Sequence, residues 1–225
     1  MPTPFQRQFP NSLTVLRLVL AVAFFALLGA YQYPDGPSTL LNVATAVFIL
    51  AAITDSLDGM LARRWEVVSA FGRIMDPVAD KVLVIGAFVF LCGPRFLVPP
   101  DTPVAGGLDS LVTAVDSRRL ITGLYPWMVV VIIARELLVT SIRGMLEGIG
   151  VEFGAVGAGK LKMVLQSVAT PAILLLVANA DPTDLAWAAW TRDALVYLMI
   201  FFTVISGAPY VTRAWAVLRR GQATS

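Results

Sequence analysis

Histidine is absent from this chain, and cysteine occurs once, at Cys92. The first absence removes Ser-His-Asp and Cys-His nucleophilic catalysis, HExxH zinc sites and imidazole acid–base chemistry. The second excludes an intramolecular disulfide and a CxxC metal site; Cys92, inside an apolar run, is expected to be a small buried hydrophobe. Charge is scarce too: 14% of the residues are charged, where a soluble domain carries about a quarter. The 17 Lys+Arg and 15 Asp+Glu leave a net charge of +2, which gives no reason to expect nucleic acid or another polyanion as partner. Any chemistry therefore rests on carboxylates, hydroxyls, Lys, Arg and bound metal.

What fills the chain instead is hydrocarbon. Hydrophobic residues make up 57% of its 225 positions, and the mean hydropathy is +0.77. A bilayer core of about 30 Å takes ~20 mostly apolar residues per helix. Six segments fit: Leu13–Ala30, Leu40–Ala62, Gly72–Leu91, Leu120–Arg143, Lys160–Ala178 and Ala194–Trp215. The first is too long for a signal peptide and carries Arg17, so it reads as a membrane helix. The third spans only if its helix also contains Asp76 and Asp80, because "VLVIGAFVFLCG" alone is too short. The expected fold is all-α: a polytopic membrane protein of six transmembrane helices forming one domain over residues 1–225.

Lys and Arg set the orientation. With the N-terminus inside, the inner side collects Arg7, Arg63, Arg64, Arg73, Arg143, Lys160, Lys162, Arg213, Arg219 and Arg220, and the outer side keeps Arg95, Arg118, Arg119 and Arg192. Both termini then face the cytoplasm. Tyr31, Tyr33, Trp127, Trp187 and Trp190 fall near outer helix ends, as an aromatic belt would. The Pro-, Gly- and Asp-rich stretch from Gly93 to Arg119 reads as an outer loop.

Polarity is concentrated in "DSLDGMLARRWEVVSAFGRIMDPVADK", Asp55 to Lys81. Asp55 and Asp58 are spaced i, i+3, and Asp76 and Asp80 i, i+4, so each pair lies on one helix face. The first pair lies at the inner end of the second helix and the second opens the third, with a short turn between. Four carboxylates converging at the inner surface repel one another unless cations bind them. Hard divalent ions, Mg²⁺ or Mn²⁺, suit an all-oxygen donor set. Gly59 and Gly72 permit close approach of a helix or a phosphate-bearing ligand. Ionisable groups at membrane depth are costly and mark function by default.

The string Asp55-x₂-Asp58-Gly59-x₂-Ala62-Arg63-x₈-Gly72-x₃-Asp76-x₃-Asp80 resembles, at all eight fixed positions, the signature of the CDP-alcohol phosphotransferase family. The resemblance implies transfer of a substituted phosphate from a CDP-linked lipid to an alcohol, with CMP leaving. It further implies two metal ions held by Asp55, Asp58 and Asp76. Asp80 would touch the second metal and accept the proton of the attacking hydroxyl. Asp58, Gly59, Ala62, Arg63 and Gly72 would line the CDP-lipid pocket, and a homodimer is implied as well. Phosphoryl-type transfer needs this kind of charge neutralisation and an oriented hydroxyl.

Downstream, "IIARELLVTSIRGMLEGIG" and "GAGKLKMVLQ" place Arg135, Arg143, Lys160 and Lys162 toward the cytoplasmic half, where an anionic acceptor needs them. Taken singly, each is better explained by interface snorkelling or by pairing with Glu136 than by a phosphate. These strings, and "PNSLTVLR" with Asn11, Thr14 and Arg17, are similar to the bacterial phosphatidylglycerophosphate synthase branch of that family. That branch implies CDP-diacylglycerol as donor, sn-glycerol 3-phosphate as acceptor, Asn11 near the CDP-lipid, and the bacterial cytoplasmic membrane as location. Cardiolipin synthases and phosphatidylinositol-phosphate synthases share the signature. From other classes, an Asp-rich prenyltransferase lacks a use for Gly-x₂-Ala-Arg, and a divalent-cation carrier would need a polar path that "VLVIGAFVFL" does not offer.

Overall fold

A peptide in hydrocarbon must satisfy its own backbone polar groups, and a helix does so within one segment. The computed structural model describes residues 4–65, 70–102, 106–108, 119–149 and 157–222; the side chains of 4–11, 56, 58, 59, 61–65, 70–80, 147, 157–160, 218 and 220–222 lie outside that description. Seven α-helices occur among the described residues: α1 (Pro4–Ala30), α2 (Ser38–Trp65), α3 (Ala70–Leu91), α4 (Pro126–Gly148), α5 (Gly157–Asn179), α6 (Ala186–Ile205) and α7 (Ala208–Gln222). A 3-10 turn, Pro94–Phe96, follows α3, and Leu97 bridges to Leu120 in antiparallel fashion. No strand occurs among the described residues, so the all-α expectation holds.

Four stretches are long and apolar enough to cross a membrane: Ser12–Ala30, Ser38–Asp55, Leu161–Asn179 and Ala186–Val217. The shorter apolar segment Lys81–Leu91 belongs to α3, and α4 carries Arg135 and Glu136 at mid-length. Burial is inverted relative to a water-soluble bundle. Val15, Val19, Val22, Ile53, Val164, Val168 and Phe201 lie outside, whereas Arg17, Glu136, Lys162, Arg192 and Asp193 lie inside. An apolar exterior around paired interior charges suits a lipid solvent.

α1 packs most extensively on α2 and also on α3; α5 bridges α2 and α6. Gly86 of α3 makes the α1–α3 contact possible, since a Cβ there would sit 2.3 Å from the Phe25 ring. That ring stacks on Phe90 with centroids 5.4 Å apart. Core hydroxyls bond back one helical turn: Thr45 to Leu41 O, Thr170 to Gln166 O and Thr203 to Met199 O. Each is thereby satisfied without water.

The connections α1–α2, α3–α4 and α5–α6 interlock at one end of the bundle. Tyr33 N donates to Arg95 O at 2.9 Å, and Arg95 Nη1 donates to Tyr31 O at 3.3 Å. The Tyr33 hydroxyl donates to Asp181 Oδ2 at 3.0 Å and shares a hydrogen bond with Thr183 Oγ1 at 3.2 Å. Tyr31 and Tyr33 are therefore interior residues, not members of an aromatic belt, whereas Trp127, Trp187 and Trp190 are exposed at helix starts. Cys92 is half-buried.

Two segment limits differ from the sequence reading. The fourth helix starts at Pro126, because residues 120–125 form a bridge and a turn, with Ile121 N bonded to Phe96 O and Gly123 N to Leu120 O. The sixth starts earlier, at Ala186, and breaks after Ile205. Pro209 has no N–H to offer Ile205, and Gly207 N turns to Val204 O at 3.0 Å. The charge bias assigns Arg192 a side of the membrane but not a depth. Arg192 is buried beside Asp193, with Nε 2.7 Å from Asp193 Oδ1 and Nη1 donating to Ile121 O. Asp193 Oδ2 accepts from Leu108 N at 2.6 Å. Gly107 (φ 99°) and Gly123 (φ 66°) pass so close that a Cβ would collide with this pair.

Candidate active site

The expected carboxylates are divided between two helices. Asp55 and Asp58 lie on α2, which continues to Trp65, and Asp76 and Asp80 lie within α3. Of the four, the side chain of Asp55 is described. Those of Asp58, Asp76 and Asp80 lie outside the described residues, as do those of Asn11, Ala62, Arg63 and Lys160 and the glycine positions Gly59 and Gly72.

Asp55 is paired. Arg17 of α1, 1% exposed, brings Nη1 to 2.6 Å from Asp55 Oδ1, while the carboxylate stays 28% exposed. The two form the polar wall of a cleft of about 330 Å³ between α1, α2, α3 and α5. The remaining wall is largely apolar, with Phe48, Leu83, Val84 and Met163. A shallower apolar groove between α2 and α5 adjoins it, sharing Ala52, Ser167 and Val168. Pro171 sits in that groove and has no N–H for the Ser167 carbonyl one turn back.

A carboxylate offers two oxygens and about four lone-pair sites, so the Arg17 contact does not exclude metal ligation by Asp55. Among the described residues no group of three or more His, Cys, Asp or Glu converges. The donor set available from the Asp-rich segment is all oxygen, partly exposed at Asp55 and beside a cleft. That chemistry fits a hard divalent cation.

The downstream cations form a second cluster. Arg135 and Lys162 both engage Glu136 Oε1, Arg135 Nη1 at 3.2 Å and Lys162 Nζ in a close ion pair. Arg135 Nε donates to Thr203 O at 3.1 Å, and its Nη2 donates to Ser206 Oγ at 2.8 Å. Gln166 of α5 reaches Thr203 Oγ1. Lys81 of α3 donates to Thr140 Oγ1 of α4. Arg143 lies on an exposed face of α4. The structure thus brings Arg135 and Lys162 together around a shared carboxylate, and sets Arg143 two turns beyond Arg135.

Two features escaped the sequence reading. The Arg17–Asp55 pair joins positions 38 residues apart, and its signal was an Arg within an apolar helix, which demands a partner. The Arg135 cap on the end of α6 had its signal in "SGAP", Ser206 to Pro209, where Gly and Pro interrupt an apolar run.

The profile of the CDP-alcohol phosphatidyltransferase family matches residues 7–206. The chain is 31% identical over 217 residues to the CDP-diacylglycerol--glycerol-3-phosphate 3-phosphatidyltransferase of Bacillus subtilis (strain 168), covering 93% of this chain and 96% of that one. It is 34% identical over 205 residues to a probable phosphatidylglycerophosphate synthase of Mycobacterium tuberculosis, covering 91% and 80%. A cardiolipin synthase (CMP-forming) of Oryza sativa is 29% identical over 231 residues, covering 96% and 60%.

Proposed function

The chain belongs to the CDP-alcohol phosphatidyltransferase family, and from that premise we propose that it moves the phosphatidyl group of CDP-diacylglycerol onto sn-glycerol 3-phosphate. The acceptor hydroxyl oxygen forms a bond to the phosphatidyl phosphorus. The pyrophosphate bridge breaks, CMP leaves, and phosphatidylglycerophosphate results. The observation that carries this reading is likeness along nearly the whole chain to relatives named for that reaction.

In the mechanism, Asp55, Asp58, Asp76 and Asp80 would hold divalent metal, two ions of Mg²⁺ or Mn²⁺. When bound, those cations would supply charge neutralisation to the phosphates. Asp80 accepts the proton of the attacking hydroxyl. Gly59, Ala62, Gly72 and Asn11 line the CDP-lipid site with Asp58, and Arg63 offers its two-pronged guanidinium to the pyrophosphate. Arg17 holds Asp55 at the cleft wall. Arg135, Arg143, Lys160 and Lys162 provide the positive surface for the acceptor phosphate, which could not be left uncompensated near hydrocarbon. Six crossings, α1 to α6, place the Asp-rich hairpin and both termini on the cytoplasmic side of a bacterial cytoplasmic membrane. The working unit is a homodimer of this single domain.

One observation favours a second reading. Glu136 already neutralises one of the two cations it binds, which lowers the positive excess available to an anionic acceptor. The uncharged alcohol of phosphatidylglycerol, used by a cardiolipin synthase, is then the competing substrate. A panel of acceptors assayed with CDP-diacylglycerol in detergent, read by CMP release, decides. We expect CMP release with sn-glycerol 3-phosphate; release with phosphatidylglycerol alone would reject the primary reading.

A further inference from the structure

The α6–α7 junction sets a length problem. The apolar stretch Ala186–Val217 runs 32 residues, ~48 Å as helix against a hydrocarbon core of about 30 Å. The 20 residues of α6 suffice alone. α7 therefore begins where the membrane core ends, after the break at Ser206 and Gly207.

Its sequence, "APYVTRAWAVLRRGQ", has three arginines and no acidic residue. One face is taken: Tyr210 and Ala214 are buried against Val139 and Leu146 of α4. The adjoining stripe, Val211 and Trp215, is 45% and 59% exposed. Arg213 and Arg219 are exposed on the remaining arc, and the Arg219 guanidinium carbon lies 5.4 Å from the centre of the Trp215 ring. Along this side of the helix Val211, Trp215 and Arg219 follow one another at successive turns, an apolar stripe that passes through an amphipathic indole to an arginine, which matches the depth profile of a lipid headgroup region; Arg213 lies on the opposite side.

We propose that α7 is an anionic-phospholipid-binding helix, with Val211 and Trp215 set among the acyl chains of the adjacent leaflet and Arg219 on a lipid phosphate. The occupant is a lipid surface, because the exposed arc carries one sign of charge. A second copy of the same basic arc would repel it.

The test uses the full-length protein with Cys92→Ser and Val211→Cys, labelled at the new thiol with an environment-sensitive fluorophore. Phosphatidylglycerol or phosphatidylcholine is titrated into neutral detergent micelles containing it. Phosphatidylglycerol should shift the emission to the blue, salt should reverse the shift, and phosphatidylcholine should not produce it. Arg219→Gln should weaken the apparent affinity about fivefold, as expected for one basic residue at a lipid surface, whereas Arg213→Gln, on the opposite side of the helix, should leave it unchanged. CMP release in neutral detergent should be unchanged by both variants, so failure here is separable from failure of the proposed activity. An equal shift with both lipids, or no effect of Arg219→Gln, would overturn the proposal. So would a shift that instead follows protein concentration, which would mark α7 as a contact between copies.

Discussion

Arg17 and Asp55 show how single charges are tolerated at membrane depth. Removing one partner of a buried pair costs ~3–5 kcal/mol, and a carboxylate that is 28% exposed should fall at the lower end. Arg17→Gln should therefore lower the melting temperature in detergent, and added Mg²⁺ should recover part of the loss by supplying Asp55 with a new counter-charge. Arg17→Lys should keep more stability than Gln. If the Gln variant melts as wild type at every Mg²⁺ concentration, the pair has no role in holding Asp55. The carboxylates themselves should separate into two classes. Asp55→Asn, Asp58→Asn and Asp76→Asn should each raise the metal concentration needed for half-maximal turnover, whereas Asp80→Asn should lose kcat and retain CDP-lipid affinity. Wild-type turnover of the first three at limiting Mg²⁺ would contradict the assignment.

Helices and their connections carry the next level of constraint. Arg135 caps the carbonyl end of α6, where the break leaves Thr203 O to accept from Arg135 Nε and Ser206 Oγ. A guanidinium there also faces the negative end of the helix dipole. Arg135→Gln should detach α7 from α4, seen as faster proteolysis after Arg213, along with any rise in acceptor KM. A rise in KM with α7 protection unchanged would assign Arg135 to the acceptor alone. At the opposite end, burial above all pushes the Tyr33 phenol up to about 12, with Asp181 adding to the rise and the Thr183 hydroxyl opposing it. Between its ordinary value of 10.0 and about 12 the unfolded chain loses this proton first, so Tyr33 contributes stability below pH 10 that disappears as pH rises toward 12. Tyr33→Phe should cost ~0.5–1.5 kcal/mol at neutral pH and flatten that alkaline decline; a decline as steep as in wild type would place its cause elsewhere.

At the scale of the whole molecule, the bundle has two chemically different ends. One carries the interlocked connections with Tyr33, Arg95, Asp181 and the buried Arg192–Asp193 pair; the other carries Arg17–Asp55, Glu136 with its cations, and basic α7. A cysteine introduced at Val67, between α2 and α3, should react with an impermeant maleimide only from the cytoplasmic side, and one at Gly106 only from outside. The reverse pattern would invert the proposed orientation.

Local chemistry was enough to determine the helical class, the helix containing Asp76 and Asp80, and the carboxylate signature. Apolar run length fixes helix formation in hydrocarbon, and i, i+3 and i, i+4 spacing fixes a face. The ion pairs had to wait for tertiary structure, because they join distant positions: Arg17 to Asp55, and Lys162 to Glu136. Composition could say that Arg135 and Lys162 needed counter-charge, but a phosphate and Glu136 satisfy that need equally until α4 and α5 are packed together. The burial of Arg192 was hidden for the same reason. It depends on the α3–α4 connection passing through Gly107 and Gly123 to cover it, and the charge alone carries no record of that.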